Sequence, residues 1–154
     1  MKVADILKNK KRAGNILSVK DGDEVHSAVK IMVENDTGSV VVYNENEDFM
    51  GMLTFREVLT AIHKDGYTKG PKLSCKDIMD KTNMSCASPD DTVENIRLMM
   101  IDNHIRYLPV VQDGKLTDVI SFYDVARTIA KSANYENHLL KEYIRNWPEQ
   151  TEES

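Results

Sequence analysis

The sequence predicts an α/β (α+β) fold of two pseudo-symmetric repeats, each running β-α-β-β-α, packed through their sheets and followed by a C-terminal helix. Three observations carry this expectation. Asp23-Glu24-Val25 aligns with Asp91-Thr92-Val93, and the same shift of 68 places Met32 on Met100, Asn35 on Asn103 and Val42 on Val110. One residue closer, Met52 to Val58 matches Val119 to Val125 and Ile62 matches Ile129, so the second hairpin is one residue shorter. Each copy has about 60 residues, too few to bury a full core alone, so the two copies must pack together.

The elements follow in order. Asp5-Ile6-Leu7 opens the first copy and recurs as Asp77-Ile78-Met79. Ile16 to Val19 reads as a short strand. Val25, Ala28, Val29, Met32 and Val33 recur at helical spacing, with Glu24, Lys30 and Glu34 on the polar face. Ser39 to Tyr43 is β-branched and apolar, as expected of a strand covered on both faces. After the turn-rich Asn44 to Asp48, Met50 to Leu53 returns as a strand, and Phe55 to His63 forms a helix ending before Gly66. The second copy repeats the order with a strand around Met84-Ser85-Cys86. Its hairpin joins Leu108–Val111 to Leu116–Ile120 through Asp113-Gly114, a strong turn signal.

Gly66 to Lys72, with two Gly and one Pro, suits neither element and links the copies. The expected organisation is repeat 1 with an N-terminal helix over 1–66, a linker over 67–74, repeat 2 over 75–134, and a C-terminal helix and tail over 135–154. Tyr135, Leu139, Leu140, Tyr143, Ile144 and Trp147 mark one face of that last helix, which ends at Pro148. Its stripe covers the module itself or pairs across a two-fold dimer.

The 154 residues are 41% apolar and 29% charged, a globular balance. Twenty basic against 25 acidic residues give a net charge of −5, which argues against nucleic acid as a partner. Apolar runs such as Val40 to Tyr43 are far shorter than the ~20 residues of a membrane span. The N-terminus has no export-signal pattern. No membrane association is expected, and the expected location is cytoplasmic. Cys75 and Cys86 read as small buried hydrophobes rather than a disulfide framework. His26, His63, His104 and His138 are scattered without metal-ligand spacing, so no metal is expected. Common nucleophile, phosphate-loop and dinucleotide signatures are missing, so neither an enzyme nor a catalytic cofactor is expected.

The chemistry concentrates where the last strand of each copy enters its last helix. Ser121-Phe122-Tyr123-Asp124 sets a hydroxyl and a carboxylate three residues apart at a helix start, and Thr54-Phe55-Arg56-Glu57 does the same. Both are capping-box patterns that need no ligand. A helix start also offers free N–H groups and partial positive charge to a phosphate, and an Asp beside it can accept both hydroxyls of a ribose. A flat base needs apolar walls, which Leu108-Pro109 and the Met84-Ser85-Cys86 strand could supply.

These residues resemble a tandem pair of cystathionine β-synthase (CBS) domains, the Bateman module of small stand-alone bacterial proteins. The resemblance runs from Val3 to Lys131. It rests on the Asp-Ile-Leu and Asp-Ile-Met openings, the segment Ile105-Arg106-Tyr107-Leu108-Pro109-Val110-Val111, and the closing Gly-h-h-[Thr/Ser]-x-x-[Asp/Asn] pattern, where h is hydrophobic. It implies a regulatory ligand sensor that binds an adenine nucleotide (AMP, ADP or ATP) between the repeats and modulates an unknown partner protein, as a homodimer. NAD(H) or S-adenosylmethionine are alternative ligands, and a protein–protein interaction or dimerisation module with vestigial sites is the alternative function. Carried over, the resemblance implies a site of Ser121, Asp124, Arg106, Leu108, Pro109, Met84 and Cys86. It implies a weaker second site of Thr54, Glu57, Arg56, Ile16, Ser18 and Val41.

Copy 1 departs from the family pattern at Glu57, where Asp is usual, and at Val41, where Pro is usual. Copy 2 departs at Asp118, where Gly51 stands in copy 1, and would add negative charge if it faced the cleft. Lys8, Lys10, Lys11 and Arg12 form a basic run, either solvated or edging a cleft to attract an anion.

Overall fold

The computed structural model describes residues 1–10, 14–65, 73–80 and 85–146. The linker glycines, Met84, Lys11, Arg12, Trp147 and Pro148 lie outside the described residues. The element order is α1 (Val3–Lys8), β1 (Ser18–Lys20), α2 (Val25–Glu34), β2 (Ser39–Tyr43), β3 (Phe49–Thr54), α3 (Phe55–Asp65), α4 (Cys75–Ile78), α5 (Val93–Asp102), β4 (Tyr107–Gln112), β5 (Lys115–Ser121) and α6 (Phe122–Arg145).

Repeat 1 folds as a three-stranded sheet in the order β1-β2-β3. β1 is parallel to β2, with Val19 opposite Val42, and β2 is antiparallel to β3, with Ser39 opposite Thr54. Repeat 2 repeats the hairpin, with Tyr107 opposite Ser121 and Pro109 opposite Val119. Asp113 and Gly114 both take positive φ, 51° and 76°, in the two-residue turn their sequence announces. Of the expected strand around residues 84–86, Met84 lies outside the described residues. Beside it the described chain makes a bridge pair, Ala87 with Val110, so the sheet of repeat 2 has two strands among the described residues.

Strand alternation decides what each residue faces. Val40 and Val42 of β2 enter the core of repeat 1 with Val25, Ala28 and Leu53. Leu108 and Val110 of β4 enter the core of repeat 2 with Ile96, Met100 and Ile120. The odd-numbered residues between them are left for the opposite face.

The first helix of each repeat is exchanged. Val3 and Ile6 of α1, 0% and 1% exposed, pack into the core of repeat 2, while Cys75 and Met79 at α4 pack into that of repeat 1. Burying aliphatic side chains of this size contributes roughly 1.5–3 kcal/mol each. The backbone bonds are paired symmetrically. Val3 N–H donates to Asp91 O (2.8 Å) and Val93 N–H to Met1 O (3.0 Å), matching Cys75 N–H to Asp23 O (2.8 Å) and Val25 N–H to Leu73 O (2.8 Å). The span 1–66 groups α1 with repeat 1 along the chain, but in space α1 belongs to the second core.

The last helix also differs from the expected division at 134/135. α6 runs unbroken for 24 residues, capped by Ser121. Its C-terminal half therefore extends the second repeat, and the stripe from Tyr135 to Ile144 is exposed, between 46% and 66% at Leu139, Leu140, Tyr143, Ile144 and Tyr135. Among the described residues no helix is long and apolar enough to cross a membrane.

Candidate functional site

A cleft of about 920 Å³ lies between the repeats, within the several-hundred-Å³ range usual for ligand sites. Repeat 1 contributes Ile16, Leu17, Ser39 and Val41, and repeat 2 contributes Val119, Ser121 and Asp124. A second cleft of about 140 Å³ has Thr54, Arg56 and Glu57 on one side and Cys86 and Pro109 on the other. Arg106 lines both.

The two strand-to-helix junctions thus line different clefts, and the walls opposite them are exchanged relative to the two expected residue sets. Ile16 and Val41 face Ser121 and Asp124 rather than Thr54 and Glu57. Cys86 and Pro109 face Thr54 and Glu57 rather than Asp124. Each junction looks across the seam at the β1–β2 region, or its equivalent, in the other repeat. Two named residues line neither cleft. Leu108 is 0% exposed in the core of repeat 2, because strand alternation cannot turn both Leu108 and Pro109 to one face. Ser18, at the start of β1, is exposed elsewhere. Met84 is outside the described residues.

Ser121 is the N-cap of α6. Its Oγ accepts from Asp124 N–H (3.0 Å), and its own N–H donates to Asp124 Oδ2 (2.8 Å). The capping box is therefore real, yet it uses only one carboxylate oxygen. Asp124 lines the cleft, and its Oδ1 has no hydrogen bond among the described residues. Of the first three N–H groups of α6, that of Phe122 goes to Arg106 O (2.8 Å) and that of Asp124 to Ser121 Oγ. The Tyr123 N–H has no partner among the described residues, the usual state of a donor at a helix start. Capping and ligand binding are compatible on this residue.

At the smaller cleft, Glu57 Oε2 accepts from Thr54 N–H (3.2 Å) and from the Thr54 hydroxyl, while Arg56 N–H donates to Thr54 Oγ1 (3.3 Å). Glu57 thus commits one carboxylate oxygen to its own cap, as Asp124 does at the other junction. The Arg106 guanidinium lies over the Phe55 ring, 5.4 Å from its centroid, so it is held by a cation–π contact rather than loose in solvent.

Asp118 does not charge the cleft. It is 3% exposed, on the same face of β5 as the core residue Ile120. Its carboxylate accepts from Lys10 Nζ (2.6 Å), Val119 N–H (2.7 Å) and Gly14 N–H (2.8 Å). Lys10 also donates to Val119 O. From the basic run, Lys10 reaches the cleft lining with its charge already paired. Sequence reasoning missed Ser39 and Leu17 as lining residues. Ser39 could have been found, because it lies two residues before Val41 on the same strand face.

The profile of the CBS domain matches residues 3–64 and 75–131. The chain is 30% identical over 149 residues to the mitochondrial CBS domain-containing protein CBSX3 of Arabidopsis thaliana, covering 93% of this chain and 71% of that one. An uncharacterised Methanopyrus kandleri protein is 32% identical over 68% of this chain, which spans only 54% of that relative. Among solved structures, a CBS-domain signal-transduction protein from Burkholderia ambifaria superimposes with a TM-score of 0.77 at 26% identity, covering 84% of this chain and 93% of that one. The domain pair of protein MJ0100, solved with 5′-methylthioadenosine and S-adenosylmethionine, superimposes with a TM-score of 0.71 at 20% identity, covering 86% of this chain and 98% of that one.

Proposed function

The chain belongs to the CBS domain family, a pair of such domains forming a regulatory module, and from that premise we propose that it senses an adenine nucleotide, AMP, ADP or ATP, in the cleft bounded by Asp124. The observation that carries this reading is that Asp124, with its Oδ1 unused, and Tyr123, with its N–H unpartnered among the described residues, both line a cleft of about 920 Å³ at one helix start. The oxygen accepts ribose hydroxyls, the helix start receives a phosphate, and Ile16, Leu17 and Val41 supply apolar surface for the base. The adenosyl ligands of MJ0100 support the same chemical class. No reaction is assigned to the module.

The bound nucleotide touches both repeats at once, Ile16 and Val41 of one and Asp124 of the other. It therefore favours whichever arrangement of the repeats brings these groups together, and the population shifts by its difference in affinity between arrangements. The exposed stripe of α6 carries the change outward, to a second copy in a homodimer and to a regulated partner protein in the cytoplasm. That stripe also favours a second reading, an interaction module that works without ligand.

Calorimetric titration with AMP, ATP, NADH and S-adenosylmethionine separates these readings. Micromolar AMP or ATP binding that is lost in Asp124→Ala, with the circular dichroism spectrum unchanged, is the expected result. Preference for NADH or S-adenosylmethionine reassigns the ligand, and no heat with any of the four leaves the interaction module.

A further inference from the structure

Ser39 and Tyr107 hold equivalent positions in the two repeats. Phe55 N–H donates to Gly38 O and Phe122 N–H to Arg106 O, both at 2.8 Å, which fixes Gly38 against Arg106 and the following residues against each other. Ser39 pairs with Thr54, as Tyr107 pairs with Ser121. The side chains differ greatly in size. Tyr107 reaches across the seam, its Oη accepting from Gly38 N–H at 3.1 Å.

Tyr107 lines the 140 Å³ cleft, a separate groove of about 600 Å³ that also includes Met32, Val33 and Phe55, and the 920 Å³ cleft as well, and on the repeat-1 side it stands between the smaller cleft and the groove. On the other side, the counterparts Met100, Ile101 and Phe122 line the 920 Å³ cleft itself, together with Ser39. With serine in place of tyrosine, cleft and groove run together. Ser39 is 6% exposed and lines the cleft, and its hydroxyl, which has no hydrogen bond among the described residues, is not among the buried unpartnered atoms, so it is open to a molecule in the cleft.

We infer that the Ser39/Tyr107 difference makes the module single-sited. One adenine nucleotide binds per chain, in the larger cleft, with the Ser39 hydroxyl as a ligand contact, while the Tyr107 ring bars the smaller cleft. This rests on the nucleotide reading above.

The test is calorimetry of the full chain with AMP. The expected stoichiometry is one per chain, with Ser39→Tyr abolishing binding. Because Ser39 is buried in β2, the tyrosine variant is checked by circular dichroism, and Ser39→Ala serves alongside it. Loss of one neutral hydrogen bond there weakens AMP binding about threefold to tenfold. Two AMP per chain, or Ser39→Ala binding as tightly as the parent while Asp124→Ala does not bind, overturns this inference and leaves the nucleotide reading standing. No AMP binding by the parent protein overturns both.

Discussion

Lys10 Nζ lies 2.6 Å from Asp118 Oδ1, and both side chains are largely withdrawn from water, at 19% and 4% exposure. The pair joins the segment after α1 to β5 of repeat 2. Gly14 N–H adds a second tie to the same carboxylate at 2.8 Å, and Arg127 a third contact through Asn9 O at 2.8 Å. The chain leaving these ties, Asn15 to Leu17, is part of the cleft wall. A residue that departs from the repeat pattern thus anchors one side of the site.

Removing one partner of such a pair leaves a buried charge uncompensated, at a cost of about 3–5 kcal/mol. Lys10→Met is expected to lower stability in urea by that order, whereas Lys8→Met, on an exposed residue, stays within about 0.5 kcal/mol. Adding Asp118→Asn to Lys10→Met restores part of the loss. Equal effects of the two single lysine variants would rule out the anchor.

Gly38 is packed against the tyrosine that crosses the seam. A Cβ there would press on Tyr107 Oη and sit 2.7 Å from Phe55 Cδ1. Gly38→Ala is expected to cost about 1–3 kcal/mol, as overpacking does. In a double-mutant cycle with Tyr107→Phe, measured by thermal unfolding, the combined loss falls short of the sum, because the phenylalanine removes the nearest clash. Strict additivity would show that the two residues do not press on each other.

The two roles of Asp124 can be separated. Asp124→Ala removes the reciprocal cap and is expected to lower stability by about 0.5–2 kcal/mol. Asp124→Asn keeps an amide oxygen for the Ser121 N–H, so its melting temperature stays near that of the parent, while nucleotide binding weakens by more than tenfold. An asparagine variant that binds like the parent would confine Asp124 to capping.

Burial, with a smaller contribution from the Asp23 charge, pushes the Cys75 thiol up to about 11 from 9.0. The folded state therefore keeps its proton where the unfolded chain releases it. Cys75 contributes nothing pH-dependent below pH 9, and stability falls between pH 9 and 11 with a slope of up to about 1.4 kcal/mol per pH unit. Denaturation across that range is expected to show this slope in the parent and a shallower one in Cys75→Ala. Parallel curves would exclude the thiol as its source.

Much of this architecture is written in local patterns. The helical spacing from Val25 to Val33, the β-branched run at Ser39–Tyr43 and the Asp113-Gly114 turn each dictate an element on their own. Both strand-to-helix junctions are legible as capping boxes. What escapes is set by distance along the chain. Lys10 and Asp118 are 108 residues apart, and neither carries a sign of the other. The exchange of α1 and α4 is equally silent, because helices of six and four residues carry too few apolar positions to name the core they enter. Two errors had a signal that could have been followed. The alternation of β4 sends Leu108 and Pro109 to opposite faces, and no Gly or Pro interrupts Lys131 to Asn134, so α6 has no reason to break there.

The central claim is that Asp124 Oδ1 receives the hydroxyls of a ribose across the seam from Ile16 and Val41. The most direct measurement is calorimetry with AMP and with its 2′,3′-dideoxy analogue, on the parent protein and on Asp124→Asn. At least tenfold weaker binding of the dideoxy compound to the parent, with that discrimination lost in the variant, is the predicted result. Equal affinity of the parent for both compounds would contradict it.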